Sequence, residues 1–442
     1  MTRLTRRAWL AALLLAGCAT NPPAPPPLPV VFVHGNGDSA ALWTPTLWRF
    51  ESNGWPRDRL FAVDLPNPTA RDDDTVPQPG RSSAAENAQA LAAAIDRVLA
   101  TTGAPKVMLV GNSRGGLAIR HVVKHLGGAA KVERAVLGGT PNHGVWADAS
   151  FRPNNEFNGA GPYLMALNAP PEATPGVAWM TLRSDGNDKF AQPDGRWIGA
   201  PGRATNVTAE GPALQGATNL VLPGRDHREV SYHAEAFAKT YEFLAGRAPA
   251  TTAITPEAAP VLDGVVQTTT NAPIAGATVE VYAVDPATGA RRGAAAHAKT
   301  VGADGRWGPF AARPDQAWEF VVTAPGYAIT HVYRSPFSRG SAVVHIRPER
   351  IAEGDRDAAA LVLFTRPRGY FGLPRDRIVF DGAPPPGVPP GVAGVASSKL
   401  KLKDAAPRTV AASFASGAID ERLVGIVRPL AENRVVVLEL TP

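Results

Sequence analysis

The sequence predicts an α/β domain with a mainly parallel sheet, followed by all-β sandwich modules. Three observations support this prediction. Short apolar runs alternate with amphipathic helical stretches up to about residue 245, a Pro/Ala/Thr-rich segment follows, and short alternating strands separated by turns come after it. With 442 residues, the chain is long enough for two or three domains, each with its own core.

The α/β domain is predicted to span residues 30–247, from six apolar runs that are typical of buried parallel strands. A helix is predicted between the second and third runs, because Ser83 and Glu86 have capping-box spacing and an apolar face begins at Leu91. The six runs are residues 30–33, 60–63, 107–110, 135–137, 177–182 and 219–222.

The N-terminal segment predicts export and lipid anchoring. A positively charged stretch and a short apolar stretch lead to Cys18, the only cysteine of the chain. Residues 15–18 resemble the bacterial lipobox, and residues 5–10 resemble a twin-arginine signal. Residues 1–18 are therefore predicted to be a signal peptide with lipidation at Cys18, and residues 19–29 a Pro-rich tether to the cell envelope. The resemblance to lipoproteins implies anchoring in the outer membrane. A plain signal peptide of a secreted protein is the alternative.

Charge and cysteine content exclude several functions. The net charge is +6, of which Arg3, Arg6 and Arg7 of the predicted signal peptide contribute half, so no nucleic-acid partner is expected. A single cysteine excludes an intrachain disulfide and a multi-thiolate metal site. His121 and His125 share a predicted helix face, but no carboxylate of that helix completes a metal site. No metal and no other cofactor is predicted.

Ser113 is the candidate nucleophile. It lies in Gly-Asn-Ser-Arg-Gly, residues 111–115, which fits the pattern G-x-S-x-G between a predicted strand and a predicted helix. In such a turn the serine has a strained backbone conformation, and the glycines allow neighbouring elements to approach closely. The residue types and their setting predict nucleophilic catalysis.

Three histidines are candidates for the general base, namely His143, His227 and His233. His227 is favoured because it follows the last predicted strand of the α/β domain, in a loop at the carboxyl edge of the sheet that can reach Ser113. His233 is expected inside the final helix of the domain.

The acid that orients this histidine is predicted in the loop after the strand at 177–182. Both Asp185 and Asp188 qualify, and Asp188 is preferred because of its position after Gly186-Asn187. The oxyanion hole is predicted from the backbone N–H groups of Arg114, after the serine, and of Asn36, in the loop after the first strand.

Residues 30–245 resemble the secreted bacterial lipases of the α/β-hydrolase superfamily, especially the class 2 lipases. The resemblance implies an α/β-hydrolase fold and hydrolysis of carboxylic esters, with roles for Ser113, Asp188, His227, Asn36 and Arg114 that agree with the assignments above. It departs in the insert at 145–175, in the lipoprotein anchor and in the C-terminal extension. The matching motifs are residues 33–35, 111–116, 139–144, 162–168 and 214–219.

The insert at 145–175 is rich in aromatic and apolar residues. Trp146, Phe157 and Tyr163 are candidate substrate-binding residues, because loops at this edge of the sheet line the site. A static loop that packs on the domain is the alternative.

Residues 248–260 are predicted to be a linker. Residues 261–349 resemble the transthyretin-like or carboxypeptidase-regulatory β-sandwich, and residues 350–442 continue as a β-rich module with a last strand at 434–440. Such modules either bind a polymer or a surface or support the hydrolase domain.

The sequence therefore predicts an exported serine esterase of the lipase or carboxylesterase type, working through an acyl-enzyme. Its expected partners are a small, lipid or polymeric ester and, through the lipid anchor, a membrane. An extracellular depolymerase of aliphatic polyesters is an alternative, and a non-catalytic surface-binding lipoprotein is an alternative of another class.

Overall fold

A six-stranded parallel sheet forms the centre of the N-terminal half in the computed structural model, which describes residues 26–441. The strand order is β2-β1-β3-β4-β5-β6, with every neighbouring pair parallel. This confirms the predicted α/β-hydrolase fold class. The strands are β1 (Val30–Val33), β2 (Leu60–Val63), β3 (Val107–Asn112), β4 (Val132–Gly138), β5 (Ala178–Arg183) and β6 (Thr218–Val221).

Helices cover both faces of this sheet because alternate strand residues point to opposite sides. Val31 packs in one core with Leu91 and Ile119, and Phe32 packs in another core with Phe50 and Phe237. The helices are α1 (Thr44–Ser52), α2 (Ala84–Thr102), α3 (Arg114–His125), α4 (Pro162–Leu167), α5 (Glu229–Tyr232) and α6 (Ala234–Ala245).

The predicted capping box is present at the start of α2. The Ser83 side chain accepts a hydrogen bond from the Glu86 backbone N–H, and the Glu86 carboxylate accepts one from the Ser83 backbone N–H. These two bonds satisfy donors that the first turn of a helix leaves free.

The C-terminal half is all β, as predicted. A seven-stranded sheet has the order β8-β7-β9-β10-β16-β11-β13, and a three-stranded antiparallel sheet has the order β12-β14-β15. The strands are β7 (Thr278–Val284), β8 (His297–Thr300), β9 (Ala317–Thr323), β10 (Ile329–Arg334), β11 (Ala360–Thr365), β12 (Arg377–Phe380), β13 (Ser397–Leu402), β14 (Thr409–Ser416), β15 (Ile419–Ile426) and β16 (Arg434–Glu439).

The last strand, β16, joins the two parts of this β region. It pairs in parallel with β10 on one side and with β11 on the other. The seven-stranded sheet therefore contains strands from both sides of residue 350. Two-residue strands form two further pairs, Thr69–Ala70 with Arg81–Ser82 and Val261–Leu262 with Phe310–Ala311.

The β region packs directly on the α/β domain. Trp48 Nε1 donates to the Gly340 carbonyl at 2.9 Å, and His345 Nε2 lies 2.7 Å from Asp64 Oδ2. Burial by itself would raise the pKa of Asp64, but the hydrogen bond with His345 contributes to lowering it to about 2. Asp64 follows β2, so this contact lies beside the carboxyl edge of the parallel sheet.

Within residues 26–441, no helix has both the length and the apolar character needed to cross a membrane. The predicted signal peptide, with Cys18, and most of the predicted tether lie outside the described residues.

Candidate active site

Ser113 occupies a strained turn between β3 and α3. Its backbone has φ 51° and ψ −120°, a positive-φ conformation that side-chain-bearing residues rarely adopt. The Ser113 N–H donates to the Gly138 carbonyl at 2.8 Å, which ties the turn to the end of β4. The turn places the serine at the carboxyl edge of the sheet and at the N-terminus of a helix.

Two glycines of the motif are required by close backbone contacts. A Cβ on Gly115 would lie 2.5 Å from the carbonyl oxygens of Val33 and His34, and one on Gly111 would lie 2.8 Å from the Gly116 nitrogen. Real Cβ atoms essentially never approach backbone so closely. The motif therefore allows α3 to pack against the end of β1.

His227 and Asp188 are hydrogen-bonded to each other. His227 Nδ1 lies 2.9 Å from Asp188 Oδ2, and both residues are buried. The other carboxylate oxygen, Asp188 Oδ1, accepts from the Phe190 N–H at 2.8 Å, and the Phe190 ring packs edge-on against His227 with ring centroids 4.6 Å apart. These contacts hold the imidazole in one orientation.

Asp185, the alternative acid, has different partners. Its Oδ2 accepts from the Gly224 N–H at 2.9 Å, and its Oδ1 accepts from the side chain of Asn187 at 2.8 Å. Asp185 thus connects the loop after β5 to the loop that leads to His227, and Asp188 is the aspartate that the structure brings to the imidazole.

Ser113 and His227 flank the same short segment at the end of β4. The Ser113 N–H donates to the Gly138 carbonyl, and a Cβ added to Gly139 would lie 3.4 Å from His227 Nδ1. His227 Nε2 is buried and has no hydrogen-bond partner among residues 26–441. The free nitrogen of a histidine whose other nitrogen faces a carboxylate is the one that can act as a base.

Two cavities open on these residues. One, of about 230 Å³, is lined by Ser113 and Asn36, and the other, of about 330 Å³, is lined by Asp188 and His227. Phe190 and Pro141 line both cavities. An ester that spans them would place its two halves on either side of the boundary that these residues form.

Backbone N–H groups are available beside Ser113. The Asn36 N–H makes no hydrogen bond to another described residue, and the Arg114 N–H is the first of α3, where a helix offers no internal acceptor. The Asn36 side chain accepts from the Ala70 N–H at 2.7 Å, which holds its loop. Both N–H groups are backbone donors that can stabilise an oxyanion.

The Arg114 side chain is held by a buried ion pair that the sequence analysis did not find. Arg114 Nε and Nη2 donate to the two carboxylate oxygens of Glu156 at 2.6 and 2.7 Å, and both side chains are 1% exposed. The other N–H groups of the guanidinium donate to the Pro68 carbonyl and to Ser82. A bidentate pair of this kind fixes the start of α3.

The other candidate histidines lie in different surroundings. His143 Nε2 lies 3.2 Å from Glu172, on the wall of the larger cavity. His233 does not lie inside the final helix as predicted, because its φ and ψ are extended and it forms the N-cap of α6, accepting from the Glu235 N–H at 3.2 Å. Burial lowers the pKa of His233 to about 4.

The candidate substrate-binding residues separate into two groups. Trp146 and Phe157 line the cavity at Ser113. Tyr163 belongs to a small cluster on α3, where its ring stacks on His121 and its hydroxyl lies 3.4 Å from the Leu117 carbonyl. The insert therefore contributes two of the three residues to the cavity.

Within residues 26–441, no group of three or more His, Cys, Asp or Glu side chains is arranged to hold a metal ion. His121 and His125 contact each other with ring centroids 5.3 Å apart.

Sequence reasoning also missed Asp226, Glu229 and Lys189, which flank His227 and Asp188 and contact the C-terminal β region. The only local signal was their position next to the candidate catalytic residues. Their partners lie more than a hundred residues away along the chain, so no spacing rule identifies them.

Comparison with known families gives two matches. Residues 27–157 match the class 2 lipase family, and residues 259–351 match the lipase C-terminal domain. The resemblance to class 2 lipases is thereby confirmed. The lipase C-terminal domain is thus the family that matches the first part of the β region.

Among solved structures, the chain is similar to Bacillus licheniformis lipase BlEst2 in its mature form, with 23% identity, TM-score 0.37, and coverage of 51% of this chain and 96% of that one. It is also similar to Aspergillus fumigatus lipase B, with 16% identity, TM-score 0.37, and coverage of 51% and 54%. The carboxylesterase CesB of Bacillus subtilis has 17% identity, TM-score 0.28, and coverage of 51% and 85%.

The class 2 lipase match over residues 27–157 supports a carboxylic ester hydrolase. Its substrate is accordingly an ester.

Proposed function

We propose that this chain is an exported serine esterase of the lipase or carboxylesterase type, with Ser113, His227 and Asp188 as its catalytic triad. The observation that carries the proposal is the buried hydrogen bond between Asp188 and His227, which leaves His227 Nε2 free. His227 and the strained turn at Ser113 both adjoin the segment at the end of β4. Acyl transfer by this route requires a carboxylate that orients a histidine and a histidine that activates a serine.

The reaction has two halves. His227 Nε2 removes the proton of the Ser113 hydroxyl as Ser113 Oγ attacks the ester carbonyl, and Asp188 stabilises the imidazolium through Nδ1–H. The N–H groups of Asn36 and Arg114 stabilise the tetrahedral oxyanion. Its collapse returns the proton to the leaving alcohol and leaves an acyl-enzyme, which water hydrolyses by the same steps in reverse.

The two cavities are proposed to receive the two halves of the ester. The cavity at Ser113 combines aromatic side chains such as Trp146 and Phe157 with charged ones such as Arg152. It is assigned to the acyl chain because the acyl-enzyme forms on Ser113. The cavity at His227 is assigned to the alcohol, because His227 delivers the proton to the leaving oxygen.

Attachment to the cell envelope is proposed from residues 1–18, with Cys18 as the lipidated residue. Metabolic labelling with a fatty-acid analogue in a bacterial host tests this point. The parent protein should incorporate the analogue, and Cys18→Ser should abolish this incorporation. Labelling that persists in Cys18→Ser would contradict the assignment.

The catalytic proposal is tested by comparing residues 19–442 with Ser113→Ala on p-nitrophenyl esters of short and long acyl chains, and by labelling with a fluorophosphonate. We expect Ser113→Ala to lose both activity and labelling, and a variant of an exposed serine, Ser150→Ala, to keep both. A folded parent that is inactive on every ester and unlabelled would overturn the proposal.

A further inference from the structure

The loop that carries His227 is bound by charged groups of the C-terminal β region. Asp226 precedes His227, Glu229 follows shortly after it, and both carboxylates are buried. Arg366 Nη1 donates to Asp226 Oδ2 at 3.2 Å, and Arg366 Nη2 donates to Glu229 Oε1 at 2.6 Å. Arg375 Nη1 donates to Glu229 Oε2 at 2.9 Å. The chain is thus held on both sides of the histidine.

These four side chains form one electrostatic unit together with Asp376, whose buried carboxylate accepts from Arg375 at 2.8 and 2.9 Å. Burial by itself would raise the pKa of Glu229, but Arg366 and Arg375 hold it below its ordinary range. Burial, together with the neighbouring Glu229 carboxylate, raises the pKa of Asp226. Removal of either guanidinium would leave a carboxylate buried without its counter-charge, which a folded protein relieves by moving the loop or admitting water.

Tyr370 lies at the centre of this unit. Its backbone N–H donates to Asp226 Oδ2 at 2.7 Å, and its carbonyl accepts from Arg366 Nη1 at 2.6 Å and from Arg375 Nη2 at 3.1 Å. Its ring is buried and lies beneath the guanidinium of Arg228, with 4.9 Å between Cζ and the ring centroid. Arg228 is the residue directly after His227.

The same ring also contacts the neighbour of Asp188. Lys189 Nζ lies 4.0 Å from the centroid of the Tyr370 ring, and it donates to the Gly394 carbonyl at 2.9 Å. Burial, with a contribution from the nearby Arg228, lowers the pKa of Lys189 to about 8. One aromatic ring of the β region is therefore in contact with the chain neighbours of both Asp188 and His227.

Attachment of the two parts of the molecule does not require this arrangement. Apolar contacts such as that between Trp48 and Phe337 already join them, and buried ion pairs are generally no more stabilising than apolar side chains of the same size. What charged and hydrogen-bonded contacts add is a defined geometry. A displacement of about 1 Å in a catalytic group can cost about 100-fold in rate.

We propose that the C-terminal β region supplies positioning residues for catalysis, with Tyr370 as the principal one and Arg366 and Arg375 in support, and that they hold His227 and Asp188 in register with Ser113. The inference rests on the proposed triad. The β region is then needed for catalysis itself. Its contribution applies to small soluble esters as well as to large ones.

The test replaces Tyr370 and follows the chemical step separately from substrate binding. In Tyr370→Leu the π face is lost, and we expect kcat for p-nitrophenyl butyrate to fall about 10- to 100-fold with KM within about twofold of the parent. The rate of Ser113 labelling by a fluorophosphonate should fall by a similar factor, since it also needs the imidazole in place. Tyr370→Phe keeps the ring and both backbone groups and should restore most of kcat.

A matched core variant separates positioning from loss of stability. Phe380 is buried in the same β region, on β12, and packs against Phe364. Phe380→Leu should lower the melting temperature to a similar extent as Tyr370→Leu and leave kcat near that of the parent. Where Tyr370→Leu does not fold, Arg375→Gln is used in its place with Arg375→Lys as the conservative partner, because Arg375 is partly exposed.

The outcomes are distinguishable. A parent that does not react with the fluorophosphonate overturns the proposed triad, and the positioning proposal falls with it. A reactive parent together with an unchanged kcat in Tyr370→Leu, or with an equal loss of kcat in Phe380→Leu at equal loss of stability, overturns the positioning proposal alone.

Discussion

Arg228 Nη2 donates to Asp38 Oδ1 at 2.6 Å, which joins the residue after His227 to the loop that contains Asn36. Arg347 of the β region reinforces this loop, since its Nη1 and Nη2 donate to the carbonyls of Gly37 and Asp38, both at 3.1 Å. The proposed base and one proposed oxyanion donor are therefore parts of one connected assembly.

Asp188→Asn should abolish most of the activity, because an amide neither stabilises the imidazolium nor selects the required tautomer of His227. We expect kcat to fall on the order of 10³- to 10⁴-fold for p-nitrophenyl esters. Asp185→Asn is the matched control, because Asp185 bonds to Gly224 and Asn187, and it should reduce kcat less than about tenfold. The reverse ranking would assign the triad acid to Asp185.

Glu156→Gln should destabilise the protein strongly, because it leaves the buried Arg114 guanidinium without a counter-charge. The expected loss is about 3–5 kcal/mol in the free energy of unfolding, measured by urea denaturation. Asp315→Asn removes a carboxylate from an ion pair whose side chains are 72% and 67% exposed, and it should leave the free energy of unfolding nearly unchanged because water screens the pair. Equal losses in the two variants would contradict the importance of the buried pair.

Gly115→Ala should destabilise the turn at Ser113, although alanine is the better helix former by about 1 kcal/mol. The added Cβ would lie 2.5 Å from two backbone carbonyl oxygens, which cannot move without displacing β1. We expect a net loss of about 2 kcal/mol or more and a large loss of kcat. Gly354→Ala, where the Cβ meets nothing, serves as the comparison and should be close to neutral.

Phe157→Ala should change the preference for acyl-chain length, since it enlarges the cavity at Ser113. We expect the ratio of kcat/KM for p-nitrophenyl octanoate to that for the butyrate to rise about tenfold. Phe151 packs against Trp146 but does not line this cavity, so Phe151→Ala should leave the ratio unchanged. An unchanged ratio in Phe157→Ala would move the acyl chain to the other cavity.

Acid should unfold the β region through Glu319. Burial by itself would raise the pKa of Glu319, but hydrogen bonds from His331 and Arg291 lower it to about 2, below the ordinary value of 4.5. The resulting stabilisation, about 3 kcal/mol, is complete above pH 4.5 and is lost as the pH falls towards 2. Burial also lowers the pKa of His331, so this group adds to the loss of stability once the pH falls below about 6.5.

The measurement is urea denaturation at pH 7, 4.5 and 3. Glu319→Gln should be less stable at pH 7 and should show a flatter dependence on pH between 4.5 and 3. The exposed Glu280, on β7, provides a control, and Glu280→Gln should follow the parent at every pH. A parent and a Glu319→Gln variant with the same pH dependence would contradict this account.

The features that the sequence determined by itself are those encoded locally. The motif at 111–115 specifies the strained turn between β3 and α3, the capping box specifies the start of α2, and the periodicity of apolar residues specifies the layers of the α/β domain. Neighbouring residues interact whatever the rest of the chain does, so their pattern is readable in one dimension. The proposed order Ser113, Asp188, His227 is a prediction of another kind, made from the order of the strands that precede these residues.

The tertiary structure decided which distant residues meet. It brought Asp188 rather than Asp185 to His227, paired Arg114 with Glu156, and placed Tyr370 against Asp226 from 144 residues along the chain. These contacts form because a charge that is removed from water needs a partner of opposite sign or a hydrogen bond. The partner can come from any part of the sequence, and only the packing of the β region on the α/β domain selects it.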